Sequence, residues 1–259
     1  SKLFLAGVVP GILMGSCLAL AAYLVAVKRG YKGEAFPGWM ALGMSFATAL
    51  PGLLTAVIIV GGVLSGVFTV TESGAFGALY AFVVTIVVYR QLTWAKFKIA
   101  VLSAVKTTSM VMILIASAGA FAYMLTFYRV PNLTVEFLTG LTDNPILILL
   151  MINFALLLLG MIMDMAALIL ICTPIFLPVA TSLGIDPLQF GMILLVNLGL
   201  GLTTPPVGTC LFAGCAVGRL PMEKAVRTIW PFYIAILIAL VPITFVPAIS
   251  MTLPGLIGS

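Results

Sequence analysis

Histidine is absent from this 259-residue chain, and charge is scarce, with Asp, Glu, Lys and Arg together making only 7%. Without histidine there is no Ser-His or Cys-His pair for nucleophilic catalysis, and the usual zinc and haem ligand sets are missing. The four cysteines, Cys17, Cys172, Cys210 and Cys215, stand singly inside apolar segments with no C-x-x-C spacing. They read as small hydrophobes, belonging to neither a disulfide framework nor a metal motif. Soluble domains carry about 25% charged residues, so an ordinary water-facing surface is excluded.

What is present is apolar. The chain is 63% hydrophobic, with a mean hydropathy of +1.30. Several runs reach the ~20 residues a helix needs to cross ~30 Å of hydrocarbon. The ~10-residue alternating segments of a membrane barrel are missing. The expected fold class is an all-α polytopic membrane protein. Its first apolar run, 3–27, is too long for a signal h-region, and the opening Ser1-Lys2 in place of Met fits a processed or partial chain.

Further runs follow at about 39–62 (interrupted by Pro51), 74–89, 99–127, 145–183, 188–218 and 229–253, with a mixed interfacial stretch at 129–144. Basic residues cluster in the loops 28–34, 90–98 and 219–227, which hold nine of the twelve Lys and Arg. The positive-inside rule puts all three in the cytoplasm. Lys2, Arg129, Glu136, Asp143 and Asp186 then fall outside, and so do both chain ends. This parity requires 145–183 to enter and leave on the outer side while 188–218 crosses once.

Three places interrupt the helices. The first arm of 145–183 is only ~24 Å long at 1.5 Å per residue, and it stops at GMIMD, 160–164. One reading is a helical hairpin whose tip ends inside the protein, where freed backbone groups face protein, ions or water. The other is two ordinary spans meeting at the inner surface. Asp164 is functional under the first, since an intramembrane carboxylate is costly, and interfacial under the second. The next break is GLGLTTPPVG, 199–208. Pro205 and Pro206 donate no N–H and push the preceding residues out of the α region. Segments 188–201 and 209–218, ~21 and ~15 Å long, span only together. Unwound backbone of this kind holds Na⁺ by carbonyls and anions by half-helix N-termini; a packed proline kink is the plainer alternative. The third break lies in GGVLSGVFTVTESG, 61–74, where Glu72 is either a buried functional acid or a helix cap.

GLTTPPVG, preceded by GIDPLQFGMILLVNLGL, closely resembles the large membrane subunit of tripartite ATP-independent periplasmic (TRAP) transporters. GMIMDMAALILICTPIFLP at 160–178 and GGVLSGVFTVTESGAFGALYA at 61–81 resemble it too, as do FLAGVVPGILMG near the start and the final WPF…ITFVPAISMTLP. The likeness runs along the whole chain in one order, and covers the second of two inverted halves plus the last helix of the first. Val70 departs from the family motif, which usually has proline there.

The resemblance implies an elevator-type transporter half with a helical hairpin and a discontinuous transmembrane helix. Residues 1–27 and 145–259 would belong to the transport domain (hairpin 145–183, broken helix 188–218, last helix 229–253). Residues 28–128 would form scaffold, and 129–144 the interfacial connector. It implies Na⁺-coupled symport of a small organic acid, such as a C4-dicarboxylate, sialic acid or sugar acid, across a bacterial inner membrane. The implied partners are a small four-helix membrane subunit, a periplasmic solute-binding protein and the N-terminal half of the large subunit, in a lipid bilayer and without nucleic acid. Na⁺ is expected on Gly160, Asp164, Gly201, Thr203 and Thr204, largely through backbone carbonyls. The substrate carboxylate is expected near Thr203, Thr204, Pro205, Pro206 and Gly208.

Rival classes fare worse. An aspartyl intramembrane protease needs two facing acids, and only Asp164 is well placed; no other enzyme activity is expected. The alternative function is a channel-like or structural translocase subunit, which would show a repeated pore lining or carbonyl filter. An ABC-type permease would need a cytoplasmic coupling helix, and the inner loops are short.

Overall fold

The structure, a computed structural model, describes residues 2–31, 37–90, 92–142 and 144–257. Asp143 and residues 32–34 of the 28–34 loop lie outside the described residues. Among those described there are eleven helices and no strand: α1 Lys2–Lys28, α2 Trp39–Leu64, α3 Val70–Val87, α4 Trp94–Phe127, α5 Val130–Leu141, α6 Pro145–Gly160, α7 Met165–Ser182, α8 Pro187–Gly201, α9 Thr209–Gly218, α10 Met222–Phe245 and α11 Pro247–Ile257. Six of them, α1 to α4, α7 and α10, are long and apolar enough to cross a membrane, while α6, α8 and α9 are apolar but shorter.

Contacts divide the chain into two compact units, one built mainly from Gly30–Thr108 and the other from Ala6–Arg29 and the chain from Ser109 onward. The first holds the α2–α3 pair. Pro51 sits inside α2 without ending it. Helix α3 starts at Val70, earlier than the apolar run at 74 suggests, because Thr69 and Glu72 form a capping box. Thr69 Oγ1 accepts from the Glu72 N–H, and the Glu72 carboxylate accepts from the Thr69 N–H at 2.9 Å. That satisfies two orphan donors of the first turn. Glu72 is thereby placed as a helix cap. Val70 occupies the first helical position, whose N–H is unpaired within the helix anyway, so proline and valine both fit there. Ser73 ties the pair together, its hydroxyl donating to the Ile59 carbonyl at 2.6 Å.

In the second unit α8 is the hub, packing against α6, α7, α10 and α11. Its flanks are buried nearly all round, from Gln189 and Phe190 to Leu200 and Gly201. Helix α6 buries Ile148, Ile152, Leu156 and Gly160, a spacing of four that lines one face. These meet Leu168 and Cys172 of α7 and Leu194 and Leu198 of α8 in one core. Side-chain caps at Asn144, Asp164 and Asp186 start α6, α7 and α8 by accepting from the N–H two residues on, with proline at the first position of α6 and α8. Such caps stabilise a helix by ~1 kcal/mol each.

The mixed stretch 129–144, which suits either a short interfacial helix or a loop, holds a helix over Val130–Leu141, α5, entered through Arg129 in the left-handed region. One expectation shifts. The last apolar run, expected as one helix over 229–253, is two: α10 extends back to Met222 and ends at Phe245. Val246 precedes Pro247 and is extended, as the clash with a following proline requires.

Candidate site at the helix break

Helices α6 and α7 are joined by a turn over 161–164 and pack on one another, forming an αα-hairpin. The tip of that hairpin meets the break in the next helix. A Cβ built on Gly201 would lie 2.5 Å from the carbonyl carbon of Gly160 and 2.6 Å from its Cα. No side chain fits there, so the two backbones cross in contact. Just beyond, the Val207 N–H donates to the Met161 carbonyl at 3.2 Å. Residues 41 and 46 positions apart in the chain thus form one backbone junction.

The break itself is well satisfied. The Leu200 carbonyl accepts from the Thr203 N–H and from both hydroxyls, Thr203 Oγ1 at 2.8 Å and Thr204 Oγ1 at 2.7 Å. The Gly201 carbonyl accepts from Thr204 N–H, and Leu202 from Cys210 N–H. The Tyr233 hydroxyl, on α10, donates to the Thr203 carbonyl at 2.5 Å. Gly208 starts α9 with φ +47°, and a Cβ there would be 2.8 Å from the Thr204 carbonyl oxygen. The Pro205–Pro206 peptide is cis. Among the described residues the carbonyls of Gly160, Thr204, Pro205 and Pro206 accept no backbone hydrogen bond. Both threonine hydroxyls point back into the end of α8, a placement the sequence did not suggest. The Asp164 carboxylate is exposed and accepts from Ala166 N–H at 3.0 Å. Of the expected site residues, then, Gly160 meets Gly201, while Asp164 accepts from Ala166 N–H and Leu168 N–H of the helix it starts.

Five polar residues escaped the sequence reading: Tyr233, Asn153, Asn197, Thr244 and Gln189. Tyr233 lines a cavity of about 150 Å³ behind the break, beside Thr204, Pro205, Met161 and Trp230. Asn153 and Asn197 face each other, the Asn197 amide donating to the Asn153 carbonyl oxygen. Asn153 Nδ2 donates to Thr244 Oγ1 at 3.3 Å, and Gln189 Nε2 to the Thr244 carbonyl at 3.0 Å. A lone amide in an apolar run (INFALL, LLVNLGL) is a signal for such a network, since unpaired polar groups are costly there.

These bonds also orient the helices. Gln189 near the start of α8 meets Thr244 near the end of α10, while Tyr233 meets Thr203 just past the end of α8. The two helices are antiparallel. The break lies ~22 Å along α8 from Pro187, and level with a point ~16 Å along α10 from Met222.

Comparison with known proteins follows the same lines. Residues 1–249 match the family described as "Tripartite ATP-independent periplasmic transporter, DctM component". The chain is 42% identical to the "C4-dicarboxylate TRAP transporter large permease protein" of Pseudomonas aeruginosa, over 99% of this chain and 60% of that protein. It is 38% identical to the "2,3-diketo-L-gulonate TRAP transporter large permease protein" of Escherichia coli, over 95% of the chain and 58% of that protein. It is 35% identical to the "Sialic acid TRAP transporter large permease protein" of Vibrio cholerae, over 98% and 60%. The chain therefore spans about 60% of the length of the curated relatives it matches. With a match that takes in the hairpin, the broken helix and the six long apolar helices alike, the chain is a multi-pass membrane protein and belongs to the DctM component family of tripartite ATP-independent periplasmic transporters.

Proposed function

We propose that this chain is the larger part of the membrane permease of a Na⁺-coupled importer of a small organic acid, sited in a bacterial inner membrane and working by an elevator movement. The observation that carries the reading is the junction of the hairpin tip with the broken helix, through Gly160 against Gly201 and Val207 N–H on the Met161 carbonyl. Two helix ends and an unwound segment meet there, and the neighbouring unpaired carbonyls offer the hard oxygen ligands a Na⁺ ion takes. The half-helix N-terminus of α9, preceded by Gly208, offers positive dipole to a carboxylate. Among the described residues no three His, Cys, Asp or Glu gather to hold a metal.

The ~22 Å of α8 on one side of the break and ~16 Å of α10 on the other support a mid-membrane depth for the site. They favour the re-entrant hairpin over two full spans. The basic loops 90–98 and 219–227 support a cytoplasmic placement for themselves, and with it a periplasmic one for the outer ends of α1 and α10. On that outer face Arg129, Glu136 and Asp186 would meet a solute-binding protein. A small membrane subunit and the remaining 40% of the permease would complete the assembly, the latter supplying the matching half of the site. The relatives' names bracket the cargo as C4-dicarboxylate, diketogulonate or sialic acid.

The complete transporter, reconstituted in liposomes with its binding protein, should take up solute only with an inward Na⁺ gradient; equal uptake without one overturns the coupling. Thr203→Val with Thr204→Val removes the hydroxyls that fold back on Leu200. The expected result is an apparent Na⁺ affinity about tenfold weaker, a loss of ~1.4 kcal/mol. Unchanged Na⁺ dependence and rate would make the TTPP break a purely structural kink.

A further inference from the structure

The second unit carries an apolar groove on the side of α1 and α10 that the transport reading does not use. Its volume is about 390 Å³, and it is walled by Cys17, Leu20, Ala21 and Leu24 of α1 and by Ile234 and Ile238 of α10. Apart from Lys28, which stands in the last turn of α1 and also lines it, the wall carries no charge. Lys28 makes no ion pair with a described residue and is exposed.

The direction of the groove follows from packing at its far end. Ala6 and Leu13 of α1 join the same cluster as Ile243 of α10, so the start of α1 lies by the end of α10 and the two helices are antiparallel. Lys28 is therefore at the α10 N-terminal end, where Lys224 and Arg227 also stand, with Glu223 as the one acid of that first turn. The groove runs from Cys17 to Lys28, ~17 Å of helix. Half of a ~30 Å hydrocarbon core is ~15 Å. A trough one leaflet deep, oily along its length and cationic at its mouth, matches one kind of molecule.

We propose that this groove holds an anionic phospholipid, with an acyl chain lying along Cys17, Leu20 and Leu24 and its phosphate at Lys28. Length and charge both point to a lipid of the leaflet on the basic side. A protein helix laid there would need its own anion opposite Lys28 and no more than three turns of contact. Membrane leaflets that face the basic ends of membrane proteins attract them through anionic headgroups.

The test uses the complete transporter, extracted gently and analysed by native mass spectrometry after exchange into defined lipid. Phosphatidylglycerol and phosphatidylcholine are supplied in turn. Phosphatidylglycerol should be retained, and Lys28→Glu should reduce that retention by at least about fivefold while leaving phosphatidylcholine adducts unchanged. Leu20→Trp with Ile234→Trp fills the trough from its exposed rim, where folding tolerates bulk, and should abolish retention of both lipids. A photoactivatable phosphatidylglycerol should crosslink within 17–28 or 231–238. Equal retention of the two lipids, retention indifferent to either variant, or crosslinks elsewhere would overturn the proposal. So would a benzoylphenylalanine at position 20 that reacts with another protein segment instead of lipid.

Discussion

Gly199 and Gly201 lie two residues apart on α8, and the same alanine substitution should act in opposite directions at each. At Gly201 the new methyl would press into the Gly160 backbone at 2.5 Å, and neither helix end has a flexible side chain to yield. Overpacking of this kind costs ~1–3 kcal/mol, so Gly201→Ala should lower the melting temperature of the purified transporter and uncouple the hairpin tip from the break. At Gly199 nothing lies within 4 Å of the built Cβ. There alanine only reduces the freedom of the unfolded chain and should stabilise by ~0.5–1 kcal/mol. A melting temperature that moves alike for both would contradict the close crossing. The prolines and threonines beside these glycines announce the break in the sequence, because a missing N–H is a local property. That Gly160 is the partner of Gly201 is not local, and no spacing rule joins residues so far apart in the chain. Glu72 was half legible: T-x-x-E is a capping-box spacing, yet only the fold shows that both reciprocal bonds form.

At the scale of helices, α6, α8 and α10 are tied by the chain of Asn197, Asn153 and Thr244, with Gln189 holding the Thr244 carbonyl. The Asn197 Oδ1 has no partner among the described residues and is buried, beside a cavity of about 230 Å³ that Asn153 and Thr244 also line. Nothing in the hydrophobic pattern of three near-continuous apolar helices sets their mutual rotation; the amides do. The physics predicts a particular non-additivity. Removing one asparagine strands its partner, whereas replacing both by leucine removes the unmet need. Asn153→Leu and Asn197→Leu should each destabilise the transporter, and the double variant should lose less than the sum. The expected coupling is ~0.6–1.7 kcal/mol, the range of hydrogen bonds inside membrane proteins. Thermal or denaturant unfolding of the four proteins measures it, and additive losses would show the amides to be independent. The broken final helix belongs to this scale as well. Its three prolines, Pro231, Pro242 and Pro247, were equally visible in the sequence, but only Pro247 ends a helix, while Pro231 and Pro242 are carried inside α10.

For the whole molecule the decisive quantity is depth, and it follows from bonds between elements more than from any span length. Length and composition alone would count α7 as a membrane crossing, which suits two full spans with Asp164 at the inner surface. The backbone junction argues otherwise. Because Gly160 lies on Gly201 and Met161 on Val207, the hairpin tip sits wherever the break sits. Tyr233 ties that break to a point ~16 Å along α10 from its basic end. Asp164 should therefore lie well below the inner surface. In a cysteine-free complete transporter, a single cysteine at Ser65 should react with an impermeant maleimide added outside. One at Arg219 should react only after the membrane is opened. One at Asp164 should react far more slowly than Arg219 in opened membranes, at a rate that changes when Na⁺ and solute are added. If Asp164 instead matches Arg219 in rate and ignores Na⁺, the hairpin traverses the membrane, and the mid-depth site at the helix break falls with it.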